Sequence, residues 1–453
     1  MEYEQQGGEM GKNGHEMIPS ARRLMTSMRD MGYDFATAVA DVVDNSVEAR
    51  ATHVAIDVRF DADDSWVRIV DNGTGMKPAQ IREALRYGSE REYDGHESLG
   101  KFGLGLKTAS LSQCQRIIVA SRSSKERAEI YAYSWDLEHV HATDKWEILE
   151  VARNEHPELL RDPLADHTGT VVLWQRLDRI LGFRHPYGEM AKKRLSSMCR
   201  EVEEHLAMVF HRFLAGEAGG RKVRITVNGN PVKPWDPFAR EERGTKPLQP
   251  VSLAYDYDGV SGAILIEPFV LPHQEEFSSP QAHAAAAGPL KWNRQQGFYI
   301  YRANRMIQSG GWSNLRTIDE HIKLARVAVS FKPGLDEAFK VNVAKMRVQL
   351  PQQLREEFTK AIGPVIRIAQ TAYRRPNGAQ HPGGGIDGHA RNPAPAGKRA
   401  QTEVAASAGK RSGNGGLWTI DDLRRAAERV ATPAEKPIVR TVFDRLAQEL
   451  GRD

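Results

Sequence analysis

One predicted helix carries polar side chains that a simple surface helix does not need. At about 100° per residue, Asp41, Asn45 and Glu48 fall in one narrow stripe of this helix. The other side is formed by Phe35, Val39, Val42, Val43 and Ser46. A helix that packs one face and directs two carboxylates and an amide from the other predicts a bound polar ligand, because buried polar groups need partners. An amphipathic surface helix is the alternative, and this segment alone favours it.

A second motif ends the later of two segments with strand alternation, 53–60 and 65–70. It reads DNGTGM and occupies residues 71–76. An acid and two glycines at a strand end predict a tight turn whose backbone approaches a flat ligand closely. Asp71 would accept a hydrogen bond from an exocyclic amine of that ligand. An ordinary Asn-Gly hairpin turn is the alternative reading.

Two further motifs follow along the chain. The sequence LGKFGLGLK at 99–107 places three glycines before an apolar helical pattern that runs to about Leu111. Amides exposed at such a helix start bind phosphate, although the spacing fits neither a Walker loop nor a dinucleotide fingerprint. The strand pattern TGTVVLW at 168–174 would bring a threonine hydroxyl to the same ligand. Residues 88–99, which are polar, predict a lid, with a disordered surface loop as the alternative.

The composition excludes several classes of protein. A chain of 453 residues has room for two or three domains with real cores. No run of about 18 apolar residues occurs, and the N-terminal segment lacks an apolar signal core, so we expect a cytoplasmic protein with no membrane partner. The two cysteines, Cys114 and Cys199, provide neither a disulfide framework nor a zinc site. A net charge of +4 does not by itself predict nucleic-acid binding.

The order of the segments predicts a first folded domain over 18–217, after a flexible arm at 1–17. Ser20 would cap a helix that runs to about Arg29. Strand patterns occur near 53–60, 65–71, 115–123, 127–135, 145–152 and 168–176. With the intervening helices they predict an α+β fold, in which a largely antiparallel sheet carries helices on one face. One long helix, Met190 to Leu214, would close the domain.

A second domain is predicted over 218–373. Its strand candidates are 224–230, 263–271, 297–302 and 325–331, and its last helix runs from about Gln352 to Ala372. Beyond it, 374–416 reads as a flexible basic linker: between 371 and 416, seven Lys and Arg stand against two Asp and Glu, and fourteen residues are Gly or Pro. Residues 417–453 show the apolar spacing of a short helical module.

Taken in this order, the four motifs between Asp41 and Trp174 resemble those of the GHKL ATPases, the superfamily of gyrase, the heat-shock chaperone, histidine kinases, MutL and MORC. The resemblance implies a Bergerat-type ATPase sandwich, with a mixed and mostly antiparallel sheet, that binds ATP and Mg2+. It implies that Asn45 ligates the Mg2+ and that Asp71, assisted by Thr170, receives the adenine amino group. The adenine slot would be shaped by Gly73, Gly75 and Met76. The phosphates would lie along Gly100, Lys101, Phe102, Gly103, Leu104, Gly105, Leu106 and Lys107.

The chain departs from the family pattern at the general base. That residue lies four positions before the asparagine and is usually glutamate, whereas this chain has Asp41. Aspartate is shorter by one methylene, about 1.5 Å, so its carboxylate must approach the attacking water differently. Phosphoryl transfer depends on positioning and charge stabilisation more than on a strong base. We therefore expect slow hydrolysis, with a protein that binds ATP and hardly cleaves it as the alternative.

The block VNVAKMRV at 341–348 resembles the transducer domain that follows the ATPase domain in MutL and gyrase, an α/β domain like ribosomal protein S-five. In that family a lysine in a similar setting reaches the terminal phosphate, and Lys345 matches it. Such a lysine would sense whether the phosphate is present and would count among the catalytic groups. A solvated lysine at a strand end is the alternative.

The resemblance implies an ATP-gated clamp that dimerises through its ATPase domains. An ATPase domain followed by a transducer and a basic tail suggests a DNA-associated homodimer that is similar to MORC or MutL. A role in bacterial restriction or phage defence, with protein partners encoded in the same operon, is the cellular setting that we expect. Some positive charge would then face DNA, namely Lys192, Lys193, Arg194, Arg221, Lys222 and Arg224. A heat-shock-type chaperone and a nucleotide-gated scaffold with little turnover remain alternatives. A sensor histidine kinase is disfavoured, because only His15 precedes the Asn-bearing helix.

Overall fold

The computed structural model describes residues 17–30, 32–88, 105–124, 129–180, 188–342 and 348–374, together with scattered positions between 424 and 444. The chain divides into two compact units, residues 1–379 and 380–453. The predicted lid beyond Gly88 and the segment 100–104 lie outside the described residues. So do residues 1–16 of the N-terminal arm, Lys345 and the linker beyond Arg374.

The first sheet has eight strands within the described residues, in the order β5-β4-β3-β6-β2-β1-β7-β8. Their bounds are β1 His53–Arg59, β2 Trp66–Asp71, β3 Arg116–Arg122, β4 Tyr131–Asp136, β5 Leu149–Glu150, β6 Gly169–Gln175, β7 Arg224–Val227 and β8 Asn230–Pro231. Neighbouring strands are antiparallel except β1 and β7, which run parallel. The α+β class and the mixed, mostly antiparallel sheet predicted from the sequence are confirmed.

Helices pack mainly on one face of this sheet. They are α1 Ala21–Arg29, α2 Phe35–Glu48, α3 Pro78–Leu85, α4 Gly105–Leu111, α5 Leu137–Thr143, α6 Pro157–Leu160, α7 Glu189–Val209 and α8 His211–Ala215. The central one, α2, begins at Phe35 because Asp34 Oδ1 accepts the Thr37 N–H at 2.8 Å. Its Val39 and Val43 are fully buried, and each such side chain stabilises the fold by about 1.5–3 kcal/mol. Tight packing on this helix fixes the polar groups that it carries.

The opposite face of the sheet is also covered, which the sequence analysis did not predict. There α6 and the 3-10 turn Asp162–Leu164 place Leu160 and Leu164 against the sheet. The strand residues that they meet are fully buried and lie on β3 and β6, namely Ile118, Ala120, Val171 and Leu173. The central strands are therefore apolar on both faces, and burial fixes their register.

Two predicted boundaries differ from the structure. The helix predicted to run unbroken from Met190 to Leu214 is interrupted at Phe210, between α7 and α8. The buried Phe210 and the contacts that α8 makes with the second sheet override the local helical pattern. The predicted start of the second domain at 218 falls before β7, yet β7 pairs with β1 and so belongs to the first sheet.

A second sheet follows, in the order β10-β11-β14-β12-β13, with β9 paired to β11. Its strands are β9 Lys246–Pro247, β10 Val251–Tyr257, β11 Val260–Val270, β12 Gly297–Arg302, β13 Arg305–Ser309 and β14 Ala325–Phe331. The helices are α9 Pro280–Ala286, α10 Lys291–Gln295 and α11 Arg355–Tyr373, the last of which covers the sheet with Phe358, Ile362 and Val365. The predicted strands 297–302 and 325–331 are confirmed, while β10 and β13 were not predicted.

The unit 380–453 is described only at scattered positions, which are helical. Within it, Arg440 Nε lies 2.9 Å from Glu428 Oε1 and Arg424 Nη1 lies 3.4 Å from Asp444 Oδ1. Among the described residues of the whole chain, no helix has both the length and the apolar character needed to cross a bilayer.

Candidate functional site

The polar stripe of α2 has one buried residue and two that reach solvent. Asp41 is 3% exposed, Asn45 is exposed and Glu48 is half-buried. The Tyr33 hydroxyl donates to Asp41 Oδ2 at 2.9 Å, and burial beside Asp41 raises the pKa of Tyr33 well above its usual range. Asn45 Nδ2 donates to the backbone carbonyl of Asp41 at 3.1 Å. Because that bond engages the amide nitrogen, Oδ1 is the atom that would ligate a hard cation.

Asp71 ends β2 and is held from two sides. Its Oδ1 accepts the backbone N–H of Gly73 at 2.9 Å, and its Oδ2 accepts the Ser46 hydroxyl at 3.0 Å. Burial raises the pKa of Asp71, while these hydrogen bonds act in the opposite direction. Because Ser46 lies on α2 beside Asn45, this bond joins the first motif to the second. The sequence analysis placed Ser46 on the packing side and missed this role.

The glycines of the DNGTGM turn are required by close approach. A Cβ at Gly73 would lie 2.7 Å from the Ala49 carbonyl oxygen at the end of α2. Gly75 has φ +66°, and a Cβ there would collide with the Arg122 carbonyl. The turn is therefore pressed between α2 and the end of β3, so contacts within the protein already require these glycines, and their approach to a flat ligand stays a prediction.

Thr170 pairs directly with Asp71 across β6 and β2. Between them and Met76 lies Ser121 of β3, a residue that the sequence analysis missed. Ser121 Oγ accepts the Met76 N–H at 2.8 Å and lies 2.7 Å from the Gly169 carbonyl and 3.0 Å from Thr170 Oγ1. One serine thus fixes the turn to the strand that carries Thr170. Its setting, a serine after four apolar residues of β3, did not distinguish it.

The described end of the glycine-rich segment meets Asp41. Gly105 opens α4, and a Cβ there would lie 3.6 Å from Asp41 Oδ2. Leu106 is half-buried beside it. Lys107 is 1% exposed, and its Nζ donates to the carbonyls of Ala84 at 3.0 Å and Arg86 at 2.7 Å.

The phosphate contact predicted for Lys107 stays a prediction. Burial lowers the pKa of Lys107 to about 8, an effect that Glu83 opposes. The ammonium group has three N–H donors and uses two of them on the carbonyls at the end of α3. The predicted phosphate residues Gly100, Lys101, Phe102, Gly103 and Leu104 lie outside the described residues, as does Lys345.

Two charged residues of the site gave no sequence signal. Asp44 of α2 is buried, and its Oδ1 accepts the Nε of Arg305 at 3.0 Å. Arg305 belongs to β13, 261 positions further along the chain, so no local pattern connects the two residues. The second sheet therefore contacts the helix that carries Asp41 and Asn45.

The basic residues considered for DNA contact are only partly available. Arg194 lies 3.0 Å from Glu201 in an ion pair, and Arg221 donates to the Val47 carbonyl. All six residues are exposed, including Lys192, Lys193, Lys222 and Arg224.

Comparison with known proteins agrees with this geometry. Residues 33–170 match the family described as histidine kinase-, DNA gyrase B-, and HSP90-like ATPase. This range begins at Tyr33, which binds Asp41, and ends at Thr170, which pairs with Asp71. All four predicted motifs thus fall inside or at the edge of the matched range.

Individual relatives match a shorter stretch. Protein MICRORCHIDIA 5 of Arabidopsis thaliana is 35% identical over 92 residues, which cover 19% of this chain and 13% of that protein. The DNA mismatch repair protein MutL of Enterobacter sp. (strain 638) is 32% identical over 103 residues, 22% of this chain and 17% of that protein. MutL of Shewanella halifaxensis is 34% identical over 100 residues, 21% of this chain and 15% of that protein. The chain thus matches less than a fifth of the length of each of these relatives.

Proposed function

Residues 33–170 form a GHKL-type ATPase domain of the kind shared with MORC and MutL proteins, and from this premise we propose that the chain binds Mg-ATP and hydrolyses it with Asp41 as general base. Asp71 would bind the adenine amino group and Asn45 the metal. The protein would act as an ATP-gated clamp that dimerises through this domain.

One observation carries the proposal: parts of the chain that are far apart in sequence converge on α2. The Ser46 hydroxyl bonds Asp71, and the start of α4 at Gly105 approaches Asp41. A purine, its phosphates and a cation need a carboxylate acceptor, helix-start amides and an oxygen ligand. The Asp71 carboxylate, the start of α4 and the Asn45 amide oxygen, all close to α2, fit this requirement.

The residues divide the work as follows. Asn45 Oδ1 would hold Mg2+, which neutralises phosphate charge when bound. Asp41 would orient the attacking water and accept its proton. The Tyr33 hydroxyl, at 2.9 Å, fixes Asp41 Oδ2 and so limits the directions from which that water can be activated.

Slow turnover, the scaffold alternative, has one observation in its favour. Asp41 is 3% exposed and already accepts a hydrogen bond from Tyr33. Its side chain is also one methylene shorter than the glutamate usual in the family, so a water must enter a confined space to reach it. We therefore propose a low kcat rather than the absence of hydrolysis.

The proposal includes association with DNA, which fewer observations support than support ATP binding. Two relatives are named DNA mismatch repair protein MutL, and exposed lysines lie near the start of α7. Lys345, from its sequence setting, would carry the state of the terminal phosphate to the second sheet. A role in restriction or phage defence, with partners encoded in the same operon, is the cellular context that we propose.

Phosphate release with Mg-ATP tests this function. We expect slow release by the wild-type protein and a loss of roughly 100-fold or more in Asp41→Asn, which keeps the size of the side chain but removes the base. ATP affinity should be retained in that variant. Stimulation by duplex DNA and not by an unfolded client protein would favour the clamp over a chaperone. Equal phosphate release by Asp41→Asn would show that another group is the base.

A further inference from the structure

One arginine of the second sheet reaches the helix that carries the proposed base. Arg305 Nε donates to Asp44 Oδ1 at 3.0 Å, and Arg305 Nη2 lies 3.8 Å from Asp41 Oδ1. The three side chains are 2–3% exposed. Arg305 thus contacts Asp41 on one carboxylate oxygen while Tyr33 holds the other.

The fold delivers this arginine through the turn between β12 and β13. Ala303 and Asn304 have φ +47° and +68°, so the chain reverses tightly and Arg305 follows at once. The Asn304 side chain accepts from Arg212 at 3.4 Å, which ties the turn to α8. The guanidinium of Arg305 lies 5.8 Å from the Phe210 ring, at the point where α7 and α8 separate. Phe210 therefore both separates α7 from α8 and contacts Arg305.

Electrostatics gives the contact its importance. Asp41 and Asp44 lie one helical turn apart, and two buried carboxylates at that spacing repel each other. Arg305 is a cation that both carboxylates face. His205 of α7 also lies near this group, and burial, followed by the charge of Arg305, lowers the pKa of His205 to about 4. Removing Arg305 would leave two buried carboxylates without this cation, and they would separate or admit water.

We propose that Arg305 is a positioning residue for ATP hydrolysis: anchored on Asp44, it keeps the Asp41 carboxylate correctly directed only while the second sheet is docked. The inference rests on the proposed function and adds a second link between the sheets, independent of Lys345. Hydrolysis would then depend on the position of β13, whereas ATP binding through Asp71 and Asn45 would not.

The test compares two arginines of the same turn. Arg305→Met removes the guanidinium beside α2, whereas the control Arg302→Met removes an equally buried one that pairs at 2.7 Å with Asp336, which follows β14. For Arg305→Met we expect kcat for phosphate release to fall at least tenfold with the Kd for ATP within twofold of wild type. Arg302→Met should lower thermal stability and leave kcat per folded molecule unchanged. Arg305→Lys, which keeps the charge, should recover part of the rate.

A second variant covers the case in which Arg305→Met does not fold. Arg305→Met combined with Asp44→Leu removes both partners of the 3.0 Å contact and leaves Asp41 in place. Replacing a buried ion pair by apolar residues often preserves stability. This double variant should bind ATP and show the same loss of kcat. An unchanged or raised kcat in either folded variant overturns the inference and leaves the proposed function intact. A parallel loss of kcat and affinity in Arg305→Met and Arg302→Met would mean a structural role only, and would also overturn it. Absence of phosphate release by the wild-type protein would defeat the proposed function, and the inference with it.

Discussion

The most informative substitution is Asp71→Asn, because it changes hydrogen-bond polarity at one position without changing size. Asp71 Oδ1 accepts the Gly73 N–H and Oδ2 accepts the Ser46 hydroxyl, so both oxygens act as acceptors. In the variant the single amide oxygen would stay on the Gly73 N–H. The NH2 group would replace Oδ2, where the Ser46 hydroxyl can turn and accept from it. The edge that faces the ligand would then change from an acceptor to a donor.

The magnitude follows from that change. A hydrogen bond between a neutral donor and a carboxylate contributes about 1.5–3 kcal/mol, so ATP binding should weaken by roughly 10- to 100-fold. Inosine triphosphate carries a carbonyl where adenine carries its amino group, and an NH2 group can donate to that carbonyl. The wild-type protein should therefore prefer ATP, and Asp71→Asn should narrow or reverse the preference.

The assay is equilibrium competition of each nucleotide, with Mg2+, against a fluorescent ATP analogue. Asp57→Asn is the matched control, because Asp57 pairs with Arg68 at 2.8 Å and by strand alternation faces away from α2. That control should show the wild-type preference. An Asp71→Asn protein that is folded and keeps both the ATP affinity and the preference over inosine triphosphate would refute the assignment of the base site.

Three further predictions concern other parts of the site. Gly75→Ala should lower the free energy of unfolding by about 2 kcal/mol or more in denaturant titrations and impair ATP binding, because φ at Gly75 is +66° and the Arg122 carbonyl blocks a Cβ. The control Gly229→Ala, at φ +81° with open space around it, should lower the free energy of unfolding by less. The pKa of Lys107 is about 8 in the folded protein against 10.5 in the unfolded chain, so the unfolded state binds more protons between these pH values. The free energy of unfolding of the wild type, relative to Lys107→Met, should therefore rise over this range by at most about 1.4 kcal/mol per pH unit. A difference between the two proteins that does not change with pH would contradict the burial effect. Lys345→Ala should bind ATP but fail to dimerise with a non-hydrolysable analogue in sedimentation experiments, and wild-type dimerisation would count against its proposed role.

The sequence predicted those parts of the fold in which local pattern and burial agree. Strands β12 and β14 were placed at their observed bounds because both are buried apolar runs ended by turn residues. The break at Phe210 was missed, since the residues on both sides have helical spacing and only packing against the second sheet interrupts them. Strand β7 was assigned to the wrong side of the domain boundary, because pairing with β1 is a long-range contact that no local pattern encodes.

The site shows the same division. Asp41 and Asn45 stood out because they share one stripe of a predicted helix, and Asp71 because it precedes two glycines at a strand end. Ser46 and Ser121, which hold Asp71 and Met76, are small residues in apolar segments and have no distinguishing pattern. Arg305 became visible only when the fold brought it to α2 from 261 positions away.

Calorimetric titration of the wild-type protein with a non-hydrolysable ATP analogue, with and without Mg2+, is the most direct test of convergence on α2. We expect saturable binding of one nucleotide per chain that weakens when Mg2+ is withdrawn and is reduced by Asn45→Ala in the presence of Mg2+. An absence of binding heat at saturating Mg2+, confirmed by a second method such as equilibrium dialysis, would contradict the account.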